Sequence, residues 1–269
     1  MDIKKLQNSA ANVRKMALEA VFSAGSGHPG GSLSCSDILT YLYMHKMNID
    51  TKNPKNPERD RFVLSKGHCS PALYGTLAEA GFFPKDEIKG FRHIDSYLQG
   101  HPDMKTVPGV DMSTGSLGQG ISAANGMAMA AKLDGKPYRV YTILGDGETQ
   151  EGQVWEAAMF AAHYKLDNLT AFLDFNGLQI DGDIREVMNP CPIDEKFAAF
   201  GWNVITVDGH DFEAIDKAVS NAEACKGKPT VIIAVTTKGK GVSYMENQAG
   251  WHGAAPNKEQ YEQAIAELS

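Results

Sequence analysis

The chain has 269 residues, 42% hydrophobic and 22% charged, and a formal net charge of −7. That balance gives no reason to expect a nucleic-acid-binding surface, although it leaves room for local positive charge around a phosphate-bearing substrate. No apolar run is long enough to span a bilayer, no charged-then-apolar leader opens the chain, and Cys35, Cys69, Cys191 and Cys225 are scattered without a Cys-x-x-Cys pair; free thiols in a cytoplasmic protein are the expectation.

In chain order, Ile3, Leu6, Ala10, Val13, Ala17 and Ala20 recur at helical spacing and predict a helix over residues 3–24. The run Gly25-Ser26-Gly27-His28-Pro29-Gly30-Gly31 breaks it, and another helix is expected from about Ser36 to Met44 with Asp37 in its acidic first turn. A loop over 53–57 leads to a strand at 61–65, then Lys66-Gly67-His68 turns into a helix containing Pro71 to Ala80. Residues 84–113 are rich in turn formers and are expected to wrap over the surface. Thr114 to Gly120 opens a small-residue helix reaching about Lys132. Strands at 138–144 and 169–173 flank a helix at 154–162. After an irregular stretch come a helix near 194–199, a strand at 203–207, a helix at 212–224, a strand at 230–235 and a short polar helix at the end. With no repeat or linker, residues 1–269 read as a single doubly wound α/β domain. It should have a mainly parallel sheet, helices on both faces and long loops at the carboxyl ends of the strands.

Two polar clusters carry the chemistry. Gly145-Asp146-Gly147-Glu148 ends one strand, and Asp174-Phe175-Asn176-Gly177-Leu178 ends the next. A strand, a helix and a strand of these lengths form a βαβ unit, so both clusters emerge at one edge of a parallel sheet, where such sheets bind ligands. A carboxylate and an amide oxygen then converge beside glycines, a plausible way to hold Mg²⁺ with a diphosphate. Gly-Asp-Gly alone serves equally as an ordinary turn. Thr114 to Gly120 offers amides at a helix N-terminus that suit anions, though close helix packing also explains its glycines. Four histidines, His28, His68, His101 and His252, sit in loops beside glycine, proline or serine. There they could exchange protons near neutral pH or bind hydroxyls and phosphates, or simply pack; the spacing gives no support to a His₃ zinc site. Glu151 and Glu156 lie five apart near the start of the helix after Gly-Asp-Gly, and Glu151 could merely complement the helix dipole.

Gly145-Asp146-Gly147 paired with Asn176 resembles the thiamine diphosphate-binding motif, with Phe175 standing where the family often has the first of two asparagines. The four loop histidines, in order and in local wording, together with Thr114 to Gly120, resemble the transketolases more specifically. The resemblance implies a thiamine diphosphate cofactor with Mg²⁺ (Ca²⁺ or Mn²⁺ could substitute) ligated by Asp146, Asn176 and the Leu178 carbonyl. It implies cofactor contacts from His68, Gly115, Ser116, Leu117 and Gly147, with His28, His101 and His252 as catalytic residues facing the donor sugar. Glu151 and Glu156 match glutamates of a subunit-interface network reaching toward the opposite cofactor site. Val207-Asp208-Gly209-His210-Asp211 also resembles the family, with His210 given a structural role; Glu148, Thr149 and Gln150 depart from it and receive none.

The resemblance runs from Asn12 to about Pro256 but covers only the first part of a full transketolase. The pyrimidine-binding and C-terminal domains are expected on a second polypeptide. This chain would then be the N-terminal subunit of a split transketolase, in an α2β2 assembly, moving a two-carbon ketol unit from a ketose or its phosphate to an aldose or its phosphate. By itself it should be inactive. The alternatives are a subunit of another thiamine enzyme (1-deoxyxylulose-5-phosphate synthase-like, or a decarboxylase), a transketolase for a branched or sulfonated sugar, a non-catalytic cofactor-binding regulatory subunit, or an orphan or truncated domain.

Overall fold

Seven strands are present in the computed structural model, which describes residues 1–269. They are β1 (Arg61–Leu64), β2 (Val140–Gly145), β3 (Leu169–Phe175), β4 (Leu178–Gln179), β5 (Gly182–Asp183), β6 (Asn203–Asp208) and β7 (Thr230–Val235). Five form one wholly parallel sheet in the order β1-β2-β3-β7-β6, and β4 pairs with β5 in a small antiparallel hairpin. The helices are α1 (Ile3–Ala24), α2 (Pro29–Ser34), α3 (Ser36–Tyr41), α4 (Ser70–Ala80), α5 (Gln119–Leu133), α6 (Gly152–His163), α7 (Ile184–Met188), α8 (Ile193–Ala199), α9 (Phe212–Ala224) and α10 (Lys258–Glu267).

Successive strand residues point to opposite faces, and both faces are covered, so the strands read as continuous apolar runs rather than alternating ones. Phe62, Tyr141, Ile143, Phe172 and Ile232 pack into a core with α1, α3, α4 and α9. Val63, Leu144, Ala171, Leu173, Val231 and Ile233 point the other way, into a core with α5, α6 and α8. The doubly wound expectation is met.

Local corrections have identifiable causes. The break after α1 is shorter than expected: Gly25 closes that helix in a left-handed conformation, but Pro29, at a first helical turn, already starts α2. The helix expected from Ser36 to Met44 ends at Tyr41, and Leu42–Lys46 widens into a π turn. Residues 84–113 do not merely wrap the surface. Phe91, Leu98, Val107 and Val110 are buried, and Asp111 is pinned by Arg59 and by the Phe62 amide at 2.8 Å.

Candidate active site

Four strands of the sheet deliver their carboxyl ends to one place. After β1 come Ser65, Lys66, Gly67 and His68; after β2, Asp146 and Gly147; after β3, Asn176 to Leu178; after β7, Thr236 to Lys238. They open on a cavity of about 400 Å³ that gathers His28, His68, His101, Gly115, Leu117, Asp146, Gly147, Glu151, Asn176, Leu178 and His252. Of the residues singled out from sequence, Ser116 faces an adjoining hollow that shares His101 and Gly115. Glu156 lies farther along α6, beside a shallow groove with Ser122 and Asn125, and does not line the cavity.

Asp146 is almost fully buried and oriented from both sides. Its Oδ1 accepts the Gly147 N–H at 2.8 Å and its Oδ2 the Gly177 N–H at 2.6 Å. Burial, then the nearby Asp174 carboxylate, pushes its pKa up to about 6. Asn176 Oδ1 accepts the Leu178 N–H at 3.1 Å, which folds the turn on itself, and both residues line the cavity. Carboxylate, amide and carbonyl are the hard oxygen donors that Mg²⁺ and Ca²⁺ prefer. No three acidic, histidine or cysteine side chains gather as a metal-ligand set, so Asp146 is joined here by neutral oxygen donors rather than by further charged ones. The donor chemistry fits a cation bridged to a diphosphate.

The histidines line the same cavity. The rings of His28, His68 and His252 lie 5.2, 5.4 and 5.3 Å apart, pair by pair, between centroids. Burial, and then His68, lowers His28 to about 4; burial, then Lys238, lowers His252 to about 3. His101 is also lowered, first by burial and then by His68. All three are therefore neutral imidazoles at neutral pH, able to accept a proton or to present one N–H.

Lys66 and Lys238, neither identified from the sequence, are buried on the cavity wall. Burial disfavours the Lys66 ammonium, but Asp174 outweighs that and holds its pKa well above the ordinary value. Asp174 also accepts Ser34 Oγ at 2.6 Å and the Thr236 hydroxyl, while Lys66 donates to the Gly31 carbonyl at 3.0 Å. Lys238 Nζ bridges the Leu178 carbonyl and His252 Nδ1, each at 3.0 Å, and burial followed by Lys66 lowers its pKa. Its sequence signal was available: Thr236-Thr237-Lys238-Gly239-Lys240-Gly241 follows a strand just as Gly145-Asp146-Gly147 does. Glu148, given no role beforehand, is buried and accepts Ser65 Oγ at 2.5 Å, the Gly118 N–H at 2.9 Å and the Gly145 N–H at 3.0 Å. It ties three loops of the cavity together.

Residues 5–268 match the family described as transketolase, thiamine diphosphate binding domain. The chain belongs to the transketolase family. It is 48% identical over 263 residues to the 6-deoxy-6-sulfo-D-fructose transketolase subunit of Clostridium sp. (strain MSTE9), covering 98% of this chain and 96% of that protein. It is 45% identical over 269 residues to an apulose-4-phosphate transketolase subunit of Phocaeicola vulgatus, covering 100% and 95% of the two chains. Human transketolase is 46% identical over 268 residues, which are 99% of this chain but 42% of that one. Among solved structures, the transketolase of Campylobacter jejuni superposes with a TM-score of 0.93 at 37% identity, over 100% of this chain and 43% of that one. The five-stranded parallel sheet with its surrounding helices is thus the transketolase fold.

Proposed function

We propose that this chain is the N-terminal, diphosphate-binding subunit of a two-polypeptide cytoplasmic transketolase, which moves a two-carbon ketol unit from a ketose to an aldose. The observation that carries this reading is the one cavity that Asp146, Asn176 and Leu178 line together with His28, His101 and His252, whose imidazoles are neutral. The two-chain arrangement is supported by relatives that are named as transketolase subunits. In this reading a partner polypeptide holds the pyrimidine end of the cofactor, in an α2β2 assembly. Those relatives' names favour a donor that is a specialised sugar with a phosphate or sulfonate, rather than the sugars of general transketolases.

Asp146, Asn176 and the Leu178 carbonyl would hold Mg²⁺, for which Ca²⁺ or Mn²⁺ could stand in. His68, Gly115, Ser116, Leu117 and Gly147 would contact the diphosphate half of thiamine diphosphate. When bound, that cofactor supplies the stabilisation of a carbanion that amino-acid side chains cannot. The chain's own residues do the rest. Lys238 donates to His252 Nδ1, which leaves the proton of that ring on Nε2. His28, His101 and His252 then hydrogen-bond the sugar hydroxyls and take up or return protons there. Glu151 is exposed at the cavity rim and Glu156 lies beyond it, and in this reading both would meet a neighbouring subunit.

Calorimetric titration of thiamine diphosphate and Mg²⁺ into the subunit with its partner tests the site. Asp146→Ala should abolish binding, and unchanged affinity refutes the assignment. His252→Ala should reduce kcat more than cofactor affinity. The isolated chain should show no ketol transfer until the partner is added.

A further inference from the structure

Arg14 on α1 grips Asp37 on α3 through both carboxylate oxygens, Nη1 to Oδ1 at 3.1 Å and Nη2 to Oδ2 at 2.5 Å, and its Nε donates to the Leu33 carbonyl at 3.2 Å. Both side chains are under a tenth exposed. Burial works against the Asp37 carboxylate, but Arg14 and His210 hold its pKa below the ordinary range, so it is an anion that only accepts. His210, in the turn after β6, places Nδ1 2.6 Å from Asp37 Oδ2 and Nε2 2.9 Å from the Thr237 backbone nitrogen. A peptide N–H only donates, so Nε2 must be the bare nitrogen and Nδ1 must carry the proton. Asp37 and the peptide together admit one tautomer.

The peptide so held precedes Lys238, whose Nζ lies on the Leu178 carbonyl and on His252 Nδ1. The flanking backbone is pinned on other sides: Thr236 N–H to the Phe175 carbonyl at 3.0 Å, and Gly239 N–H to the Gly30 carbonyl at 2.9 Å. Only the Thr237 N–H is satisfied by a side chain from a strand end outside the cavity. Given the reading of this cavity as the transketolase site, we propose that His210 is a positioning residue. Locked by Asp37 and Arg14, it fixes the Thr236–Thr237 peptide, one residue before Lys238, and through Lys238 it sets which nitrogen of His252 bears the proton presented to the sugar.

A purely structural link between α3 and the β6 turn would act through Asp37 alone, and a pair of isosteric variants separates the two. In His210→Gln the amide reaches the position of Nε2 and can still accept the Thr237 N–H, but the donor to Asp37 is gone. In His210→Asn the amide reaches the position of Nδ1 and still donates to Asp37, but the Thr237 N–H loses its acceptor. The readout is long-range ¹⁵N–¹H correlation spectroscopy of the full chain, which reports histidine tautomers without cofactor or partner. In the unsubstituted protein His210 should appear as the Nδ1–H form and His252 as the Nε2–H form. His252 should keep that form in His210→Gln and lose it to a mixture in His210→Asn. In the assembled enzyme His210→Asn should lower kcat about tenfold, the size of one lost buried hydrogen bond, with KM little changed, and His210→Gln should stay near the parent. An Nε2–H form of His210 in the parent overturns the proposal with no variant needed. So does a His252 signal that is unchanged in His210→Asn, or equally changed in both variants. Asp146→Ala tests the cavity's assignment separately: intact cofactor binding there refutes that assignment, whereas normal loss of binding with the wrong His210 pattern refutes only the positioning role.

Discussion

Replacing Lys66 by methionine keeps the length and apolar stem of the side chain and removes only the ammonium. Lys66 and Asp174 are 2% and 0% exposed, so the carboxylate left behind cannot be rescued by water. Breaking a buried ion pair from one side costs about 3–5 kcal/mol. Asp174 would keep two of its three donors, Ser34 Oγ and the Thr236 hydroxyl, which places the expected loss at the lower end, about 3 kcal/mol. In a chain of this size that lowers the melting midpoint by roughly 6–12 °C. Asp174→Asn should cost a similar amount, because Lys66 would retain only the Gly31 carbonyl. The double variant should cost little more than either single one, a coupling of about 2 kcal/mol or more, since the first substitution already destroys the pair. Urea unfolding at pH 7.5 with linear extrapolation measures all three. A loss below about 1 kcal/mol for Lys66→Met, or strictly additive effects, would show that the pair does not hold these strand ends together.

The two glycines of α5 should respond oppositely to alanine. A Cβ at Gly126 meets nothing within 4 Å, so Gly126→Ala should stabilise the chain by about 0.5–1 kcal/mol, whereas a Cβ at Gly120 would lie 2.6 Å from Ser65 Cα and cost about 1–3 kcal/mol; thermal melts showing the same sign would contradict the packing. Acid should weaken the fold through His252 and His28, whose pKa values fall from 6.5 to about 3 and about 4. The unfolded chain takes up these protons first, so stability is complete above about pH 6.5 and falls as the pH drops toward 4. The limit is about 1.4 kcal/mol per pH unit for each ring, and less for the more exposed His28. His252→Gln should flatten that limb, and an unchanged limb argues against its burial as a neutral ring. Glu148→Gln sets an amide against two peptide N–H groups and should cost about 1–3 kcal/mol. Hydrogen exchange at Gly118 and Gly145 should quicken by more than the global loss explains; uniform change across the chain would mean that Glu148 ties no loops.

Local pattern was enough for most elements, because amphipathic spacing and runs of β-branched residues are properties of neighbours in sequence. The βαβ reading of residues 138–173 brought Asp146 and Asn176 to one edge, and the structure pairs β2 with β3 in that register. The boundaries that moved, at Pro29 and Tyr41, lie where one helix meets the next and packing decides the angle.

The sequence by itself determined the fold class, the turns that carry Asp146 and Asn176, and the loop histidines, since each is written in residues close along the chain. Only the tertiary structure decided what surrounds them. Lys238 reaches the Leu178 carbonyl across 60 residues, Lys66 reaches Asp174 across 108, and Asp37 reaches His210 across 173. These meetings follow from the strand order β1-β2-β3-β7-β6, which puts β7 beside β3 and leaves β6 at the edge. No periodicity encodes that order. It arises from burying both faces of the sheet at once, and the buried charges then find partners because leaving them unpaired in that interior costs more than ordering the loops that bring them together.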